Sequence, residues 1–198
     1  MGKRIILSKP SNDPHDPRVG GGALIGGIED WPVSPDGAPL MLVASIPNSF
    51  IKKNTGIEIP ENLYTSIFSC YSEKDYFLDL ITYHGDADEL ATIRSGYTKV
   101  IQHPPGQEIH QTSFIPPHRI DLGVSVPDEV DSGSRMGGEP LFLQNEELDL
   151  GEMEYVLQLM GADFPSKFTG IFALSDAVAY LYLSPGETPN GLFFAQTT

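Results

Sequence analysis

The sequence has one cysteine, few basic residues and no long apolar run, and each scarcity excludes a class of protein. Cys70 stands alone in 198 residues, so neither an intramolecular disulfide nor a cysteine-rich metal site can form. Twelve Lys and Arg against 27 Asp and Glu give a net charge of −15, which argues against nucleic-acid or anionic-membrane partners. No apolar run approaches the roughly 18 residues of a membrane-spanning helix, and residues 5–7 are too short for a signal-peptide core. We therefore expect a cytoplasmic protein.

Proline and glycine, by contrast, are abundant and divide the chain into short apolar runs. The 17 prolines and 20 glycines indicate many short strands separated by turns. Short helices are predicted only near residues 50–56 and after Asp86, where acidic residues suit a helix start. The fold class is therefore predicted as α+β, predominantly β. Strands are predicted at 3–7, 40–46, 63–71 paired with 76–83, 97–102, 154–160, 170–175 paired with 177–183, and 192–196.

A repeated plan indicates that these strands form internally duplicated antiparallel sheets. Ser134–Gln144 contains Gly-Gly-Glu-Pro and precedes the run at 154–160, while glycines at 20–22 and 26–27 precede the run at 40–46. The two runs begin about 115 residues apart. We predict one domain over residues 1–198, with pseudo-repeats at roughly 18–102 and 134–198 joined by a proline-rich, acidic, loop-like connector at 103–133.

No motif of a known catalytic site is present, so we predict no catalytic residue, no cofactor and no enzyme activity. The glycines at 20–22 lack the Gly-Lys-Ser/Thr ending of a phosphate-binding loop, and the chain has no Gly-x-Ser-x-Gly nucleophile elbow. His103, His110 and His118 could form a metal site with Asp121, but zinc motifs usually have tighter spacing. Isolated loop histidines are the favoured interpretation, and a metal-dependent enzyme is kept as an alternative.

Acidic residues are concentrated between Asp128 and Glu154, where nine acids accompany a single base, Arg135. Their spacing does not match a calcium-binding EF-hand loop. Two interpretations stay open: a solvated acidic loop, or an acidic face that docks a basic protein. For the second interpretation, we predict that Phe142 is an aromatic anchor surrounded by carboxylates. The predicted partner-binding residues are Asp128, Glu129, Asp131, Phe142, Glu146, Glu147, Asp149 and Glu152.

Several short motifs resemble those of the YwqG-like family of bacterial proteins. They are Gly137-Gly138-Glu139-Pro140 followed by Gln144, Leu157-Gln158-Leu159, the Gly191-Leu192-Phe193-Phe194 ending, Trp31-Pro32, and Gly37-Ala38-Pro39-Leu40. The chain departs from the family at Ser45, where a glutamine is expected. It also departs in the first Gly-Gly-x-Pro, which reads Gly-Gly-Ala-Leu at 21–24 or Gly-Gly-Ile-Glu at 26–29.

This resemblance implies a β-rich, internally duplicated fold that is not known as an enzyme class. It also implies a link with bacterial toxin systems, in which such proteins are thought to act as immunity proteins. Together with the charge, it predicts a cytoplasmic immunity protein that neutralises a cognate toxin, a basic DNase or RNase. The alternatives are a protein-interaction module unrelated to toxins and the metal-dependent enzyme described above.

Overall fold

Antiparallel sheets build the fold in a computed structural model, which describes residues 1–27, 30–111, 114–128, 133–144, 148 and 150–198. The fold is mainly β with two short α-helices in this part of the chain, as the sequence predicts. The strands are β1 (Gly2–Ile6), β2 (Arg18–Val19), β3 (Ala23–Ile25), β4 (Met41–Pro47), β5 (Tyr64–Ser69), β6 (Thr98–His103), β7 (Pro105–Ile109), β8 (His118–Arg119), β9 (Asp121–Val126), β10 (Arg135–Met136), β11 (Glu154–Met160), β12 (Val178–Leu183) and β13 (Gly191–Gln196).

Two of the sheets have the same strand order, which confirms the predicted duplication of antiparallel sheets. We call β6-β5-β4-β2-β8 the first sheet and β13-β12-β11-β10-β1-β9 the second sheet. The two orders correspond strand by strand, with β1 in the place of β8 and β9 as an additional edge strand. Strands β3 and β7 form a separate pair. Strand β1 therefore completes the second sheet although it lies at the opposite end of the chain from β11–β13.

The register fixes which residues correspond in the two sheets. Arg18 lies opposite Ser45 in the first sheet, and Arg135 lies opposite Gln158 in the second. The glycine after each of these short strands makes a similar bond: Gly20 N donates to Val43 O at 2.9 Å, and Gly137 N donates to Val156 O at 2.8 Å. The sequence Arg18-Val19-Gly20-Gly21 thus corresponds to Arg135-Met136-Gly137-Gly138. Gly137-Gly138 therefore correspond to Gly20-Gly21. The motif comparison, which read Gly-Gly-Ala-Leu from Gly21, placed this correspondence one residue too late.

The main core lies where the inner faces of the two sheets meet. Val43, Ile46 and Ile67 of the first sheet share one buried cluster with Leu181 and Phe193 of the second. Strands β6 and β13 also approach each other at their edges, where Thr98 Oγ1 donates to the Phe193 carbonyl at 2.6 Å. Burying these apolar side chains is the main driving force for bringing the sheets together.

Each sheet carries a second apolar cluster on its outer face. In the first sheet Phe68 and Leu42 pack against Trp31, whose indole N–H donates to the Leu40 carbonyl at 2.7 Å. In the second sheet Tyr180 and Tyr182 are buried, so β12 is covered on both faces rather than half-buried as its alternation predicts. The central strands of both sheets are therefore covered on both faces.

Two short helices follow local signals in the sequence. Helix α1 (Asn48–Thr55) ends at Gly56, whose φ of 85° gives the left-handed conformation that glycine adopts readily. Helix α2 (Ala87–Thr92) begins at Asp86, whose carboxylate accepts bonds from the N–H groups of Asp88 and Glu89. Both helices occur where the sequence predicts them. Among the described residues, no helix is long and apolar enough to span a membrane.

The predicted pairing of 63–71 with 76–83 is wrong. Strand β5 pairs with β4 and β6, and Leu78–Leu80 forms a 3-10 helix. Thr82 Oγ1 donates to the Leu78 carbonyl at 2.8 Å, a separation of four residues that is typical of helical turns. Buried Phe77, Leu78 and Ile81 follow helical spacing rather than strict alternation, which explains the error.

The predicted strand at 170–175 is wrong as well, because this segment forms successive turns. Ile171 N donates to the Phe168 carbonyl and Ala173 N to the Gly170 carbonyl, both at 3.0 Å. Ala173 has a φ of 69°, which is incompatible with a strand. Adjacent Ile171 and Phe172 are both buried in the main core, so the apolar run fills space between the sheets instead of forming one.

The connector at 103–133 is less irregular than predicted, since it contains β7, β8 and β9. Pro105 is the first residue of β7, a position where a missing N–H is tolerated. Strand β9 pairs with β1 and forms one edge of the second sheet. The prolines of this segment therefore mark strand ends rather than a continuous loop.

Candidate acidic interface

The outer face of the second sheet brings two acidic segments of the chain together. Leu90 lies in α2 and Ile93 directly follows the helix. Both residues share one apolar cluster with Leu143 and Met153 of the predicted acidic region. This cluster covers Tyr180 and Tyr182 of β12. Ile93 and Arg94 line one cleft together with Met153, so the two segments approach each other there, although about 50 residues separate them in sequence. We define the acidic face as the described carboxylates of these segments that lie on this side of the sheet: Asp86, Asp88, Glu89, Glu139 and Glu152. Glu154 is excluded, because it lies opposite Leu183 of the main core and therefore projects from the inner face.

Sequence reasoning missed the part of this face that comes from α2. Asp86, Asp88 and Glu89 were interpreted only as helix-start residues, because nothing in their spacing shows which sheet α2 covers. Asp86 and Asp88 are exposed, whereas Glu89 is partly buried and accepts a bond from the His84 N–H at 2.7 Å. Arg94 is the only base between residues 83 and 94, and 139–154 has none. The α2 carboxylates thus extend the predicted acidic region with little compensating charge.

The Asp128 carboxylate is engaged in hydrogen bonds within the protein. It accepts bonds from the Met1 amino group at 2.9 Å and from the Glu139 N–H at 3.1 Å, and these bonds keep the pKa of Asp128 below its ordinary value. A Cβ on Gly138 would lie 2.3 Å from one of its oxygens. Asp128 therefore supports the Gly-Gly turn, and its role in partner binding stays a prediction.

The other predicted partner-binding residues have different positions. Phe142 is partly buried, and its ring packs against Tyr180 with centroids 5.3 Å apart, which leaves part of it on the surface. Glu152 is exposed on the acidic face. The remaining predicted residues lie outside the described part of the chain: Glu129, Asp131, Glu146, Glu147 and Asp149.

The three histidines of the alternative metal site are engaged separately. His103 is 1% exposed and lies between Ser66 Oγ at 2.7 Å and the Pro104 carbonyl at 2.9 Å. Burial lowers the pKa of His103. His110 Nε2 lies 3.4 Å from a carboxylate oxygen of Glu108. His118 Nδ1 donates to the Pro116 carbonyl at 2.9 Å. Among the described residues, no three His, Cys, Asp or Glu side chains form a group that could hold a metal.

Ser66 and His103 are within hydrogen-bonding distance, as in a nucleophilic pair, but they are not arranged for catalysis. Both side chains are buried, and Ser66 also contacts Ser45 Oγ at 3.0 Å. Neither lines any of the described clefts. Cys70 offers no alternative nucleophile, because burial raises the pKa of its thiol to about 12. The Ser66–His103 contact is best explained as hydrogen bonding between neighbouring strands.

A buried arginine anchors the turn that precedes the acidic face. Arg135 is 0% exposed, and its guanidinium donates to Gln158 Oε1 at 3.2 Å and to the backbone carbonyls of Asp128 at 3.1 Å and Glu139 at 2.5 Å. Gln158 Oε1 also accepts from the Leu141 N–H at 3.2 Å. The Gly-Gly-Glu-Pro segment is therefore held by side chains of its own sheet, which supports a structural role for its glycines.

The described clefts are surface depressions with mixed polar and apolar linings. The cleft beside the acidic face has a volume of about 380 Å³ and is lined by Arg94, Lys99, Met153 and Leu192 among others. Lys99 Nζ donates to the Val33 carbonyl at 2.8 Å, so one of the two cations there is already engaged. This cleft does not combine the convergent polar groups and apolar walls of a typical small-molecule site.

Comparison with known proteins adds no assignment. No family model matches the chain, and no curated protein is significantly similar to it. The resemblance to the YwqG-like family therefore stays a prediction based on the motifs given above.

Proposed function

We propose that the protein is a cytoplasmic immunity protein that binds a basic nuclease toxin through the acidic face and blocks its phosphate-binding surface. The observation that carries this proposal is the joining of two acidic segments over the second sheet. Basic surfaces that bind phosphates are attracted to such a face, and the attraction accelerates association. The motif resemblance supports the toxin-related part of the proposal.

The apolar cluster beneath the acids supplies the second component of an interface. Phe142 and Met153 are partly buried and belong to the cluster under the acidic face. Tight interfaces combine a few apolar or aromatic anchors with a charged rim, since exposed ion pairs alone contribute little affinity. Arg94, at the border of the face, adds a donor for carboxylates of the partner.

The test co-expresses the chain with candidate toxin domains encoded by neighbouring genes, and measures cell growth and binding. The face variant carries Asp86→Asn, Asp88→Asn, Glu139→Gln and Glu152→Gln. Asparagine at 86 can still cap α2. We expect affinity to fall by roughly 100-fold, chiefly because four attractive charges are lost, and its dependence on salt to weaken.

A matched variant separates the acidic face from total charge. It carries Glu58→Gln, Glu61→Gln, Asp176→Asn and Glu187→Gln, all of which are exposed and outside the face. Both variants change net charge equally, so the control should retain affinity within about threefold. Equal losses in the two variants would contradict a localised interface. A neighbouring gene whose product is not toxic but binds the chain would instead support an interaction module unrelated to toxins.

A further inference from the structure

The two buried arginines occupy corresponding positions but have different partners. Arg135 Nε donates to Gln158 Oε1 at 3.2 Å, as described above. Arg18 is 2% exposed, and one of its terminal nitrogens donates to the Gly22 carbonyl at 2.9 Å and contacts Glu108. In the described part of the chain, Arg18 Nε is buried without a hydrogen-bond partner. The Nε–H group therefore has a partner at Arg135 and lacks a protein partner at Arg18.

The residue opposite each arginine explains the difference. Ser45 lies opposite Arg18, as Gln158 lies opposite Arg135, and such directly paired residues project from the same face of a sheet. A serine side chain ends two carbon atoms earlier than a glutamine side chain. With carbon–carbon bonds of about 1.5 Å, the missing reach is close to the size of one water molecule.

The hydrogen bonds of Ser45 have a direction that can be worked out from His103. The Pro104 carbonyl can only accept, so His103 Nδ1 carries a proton, and in the neutral ring Nε2 accepts from Ser66 Oγ. Ser66 Oγ then accepts from the Ser45 hydroxyl at 3.0 Å. The Ser45 oxygen consequently keeps lone pairs available to accept a further hydrogen bond, and Ser45 is paired directly with Arg18.

We propose that one buried water molecule bridges Arg18 and Ser45. It accepts from Arg18 Nε–H and donates to Ser45 Oγ, which gives an uninterrupted series of donors from Arg18 through Ser45 and Ser66 to His103. A water suits this place better than an anion. The Arg18 charge is already paired with Glu108, and Ser45 presents a lone pair rather than a proton. Buried waters typically satisfy such polar groups in folded proteins.

The bridge extends one hydrogen-bonded row across β2, β4, β5 and β6 of the first sheet. The second sheet does not need a water at the corresponding place, because the Gln158 side chain reaches Arg135 directly. The same arginine is thus accommodated by a side-chain amide in one sheet and by solvent in the other.

NMR on the intact ¹⁵N-labelled protein tests the bridge, with the second sheet as an internal control. The Nε–H proton of Arg18 should give a cross-peak with a long-lived water, whereas that of Arg135 should not. A crystal structure at about atomic resolution should show water within hydrogen-bonding distance of Arg18 Nε. The proposal is overturned if that density is absent, or if neither arginine shows the water cross-peak.

Two exchanges sharpen the test. Ser45→Gln should remove the water cross-peak of Arg18, and Gln158→Ser should create one at Arg135. A persistent Arg18 cross-peak in a folded Ser45→Gln protein would contradict the bridge. If either variant fails to fold, the comparison of Arg18 with Arg135 in the unmodified protein still decides the question.

Discussion

The first and second sheets share one strand order but differ in the polar residues that cross their outer faces. The first sheet uses Arg18, Ser45, Ser66 and His103, whereas the corresponding positions of the second hold Arg135, Gln158, Tyr180 and Gln196. The first row contains the imidazole of His103, and its arginine, Arg18, is paired with the Glu108 carboxylate. The second row binds backbone groups through two glutamine amides.

One contact is common to both rows. Arg18 donates to the carbonyl of Gly22, and Arg135 donates to that of Glu139, in each case four residues further along the chain. The shared contact holds the chain after the Gly-Gly turn against its sheet. This comparison indicates that the turn anchor is the invariant part of the duplicated plan, while the neighbouring polar contacts differ between the halves.

Removing each buried arginine should give the largest difference between the sheets. Arg135→Met leaves the Asp128 and Glu139 carbonyls without their arginine donor and removes one of the donors to Gln158 Oε1, and should lower the free energy of unfolding by about 4 kcal/mol. Arg18→Met should lower it by about 2 kcal/mol, because the remaining Glu108 is partly exposed and can be hydrated. Urea denaturation measures both values. If Arg18→Met lowered the free energy of unfolding more than Arg135→Met, the predicted order of the two sheets would be wrong.

Alanine substitutions in the two Gly-Gly turns should show opposite rankings. A Cβ at Gly20 would lie 2.3 Å from the Ile115 carbonyl oxygen, and one at Gly138 would lie 2.3 Å from an Asp128 oxygen. The closest approaches at Gly21 and Gly137 are 3.0 and 3.2 Å. All four residues have positive φ.

Gly20→Ala and Gly138→Ala should therefore destabilise by about 3 kcal/mol, because a steric clash is added to backbone strain. Gly21→Ala and Gly137→Ala should destabilise by about 1 kcal/mol. Thermal unfolding of the four variants measures the ranking. Equal effects within each pair would show that backbone strain alone decides the outcome.

Lowering the pH should weaken the first sheet through His103, whereas the corresponding Gln196 does not titrate. Burial lowers the folded-state pKa of His103 below its ordinary value of 6.5, so the unfolded chain takes up a proton first. Stability is therefore lost as pH falls through about 6.5 towards the lower folded-state pKa, by at most about 1.4 kcal/mol per pH unit. Denaturation from pH 7.5 to 5 measures the slope, and His103→Gln should reduce it. An unchanged slope in that variant would assign the effect to other groups.

The smallest expected effect concerns the helix that contributes to the acidic face. Asp86→Ala removes the cap of α2 and should destabilise by about 1 kcal/mol, whereas Asp86→Asn should change stability by only a few tenths of a kcal/mol. Helix α1 has no side-chain cap, so Ser49→Ala at its start should have little effect. Urea denaturation compares the three variants. Equal losses for Ala and Asn at 86 would indicate that charge, not capping, stabilises α2.

The sequence predicts those parts of the fold that depend on local signals. Continuous apolar runs indicated β4 and β11, and Asp86 indicated the start of α2. The sequence did not predict that 76–83 turns away from β5, with Thr82 bridging Ala195 of β13, or that β9 joins β1, because partners distant in sequence determine both. For the same reason the acidic region was predicted around 128–154 without its α2 portion. Packing of both segments on the outer face of the second sheet, which no local pattern encodes, brings those carboxylates together.

Strand β1 has a consequence for folding during synthesis. It precedes its described partners, residues 121–126 and 135–136, by more than 110 residues in the chain. During synthesis both of its edges therefore stay unpaired until these later residues, which lie in the second half of the given sequence, have been translated. Such long-range pairing slows folding and exposes strand edges to other chains. Lys3 and Arg4 give the waiting strand two positive charges, which oppose its association with copies of itself on neighbouring nascent chains.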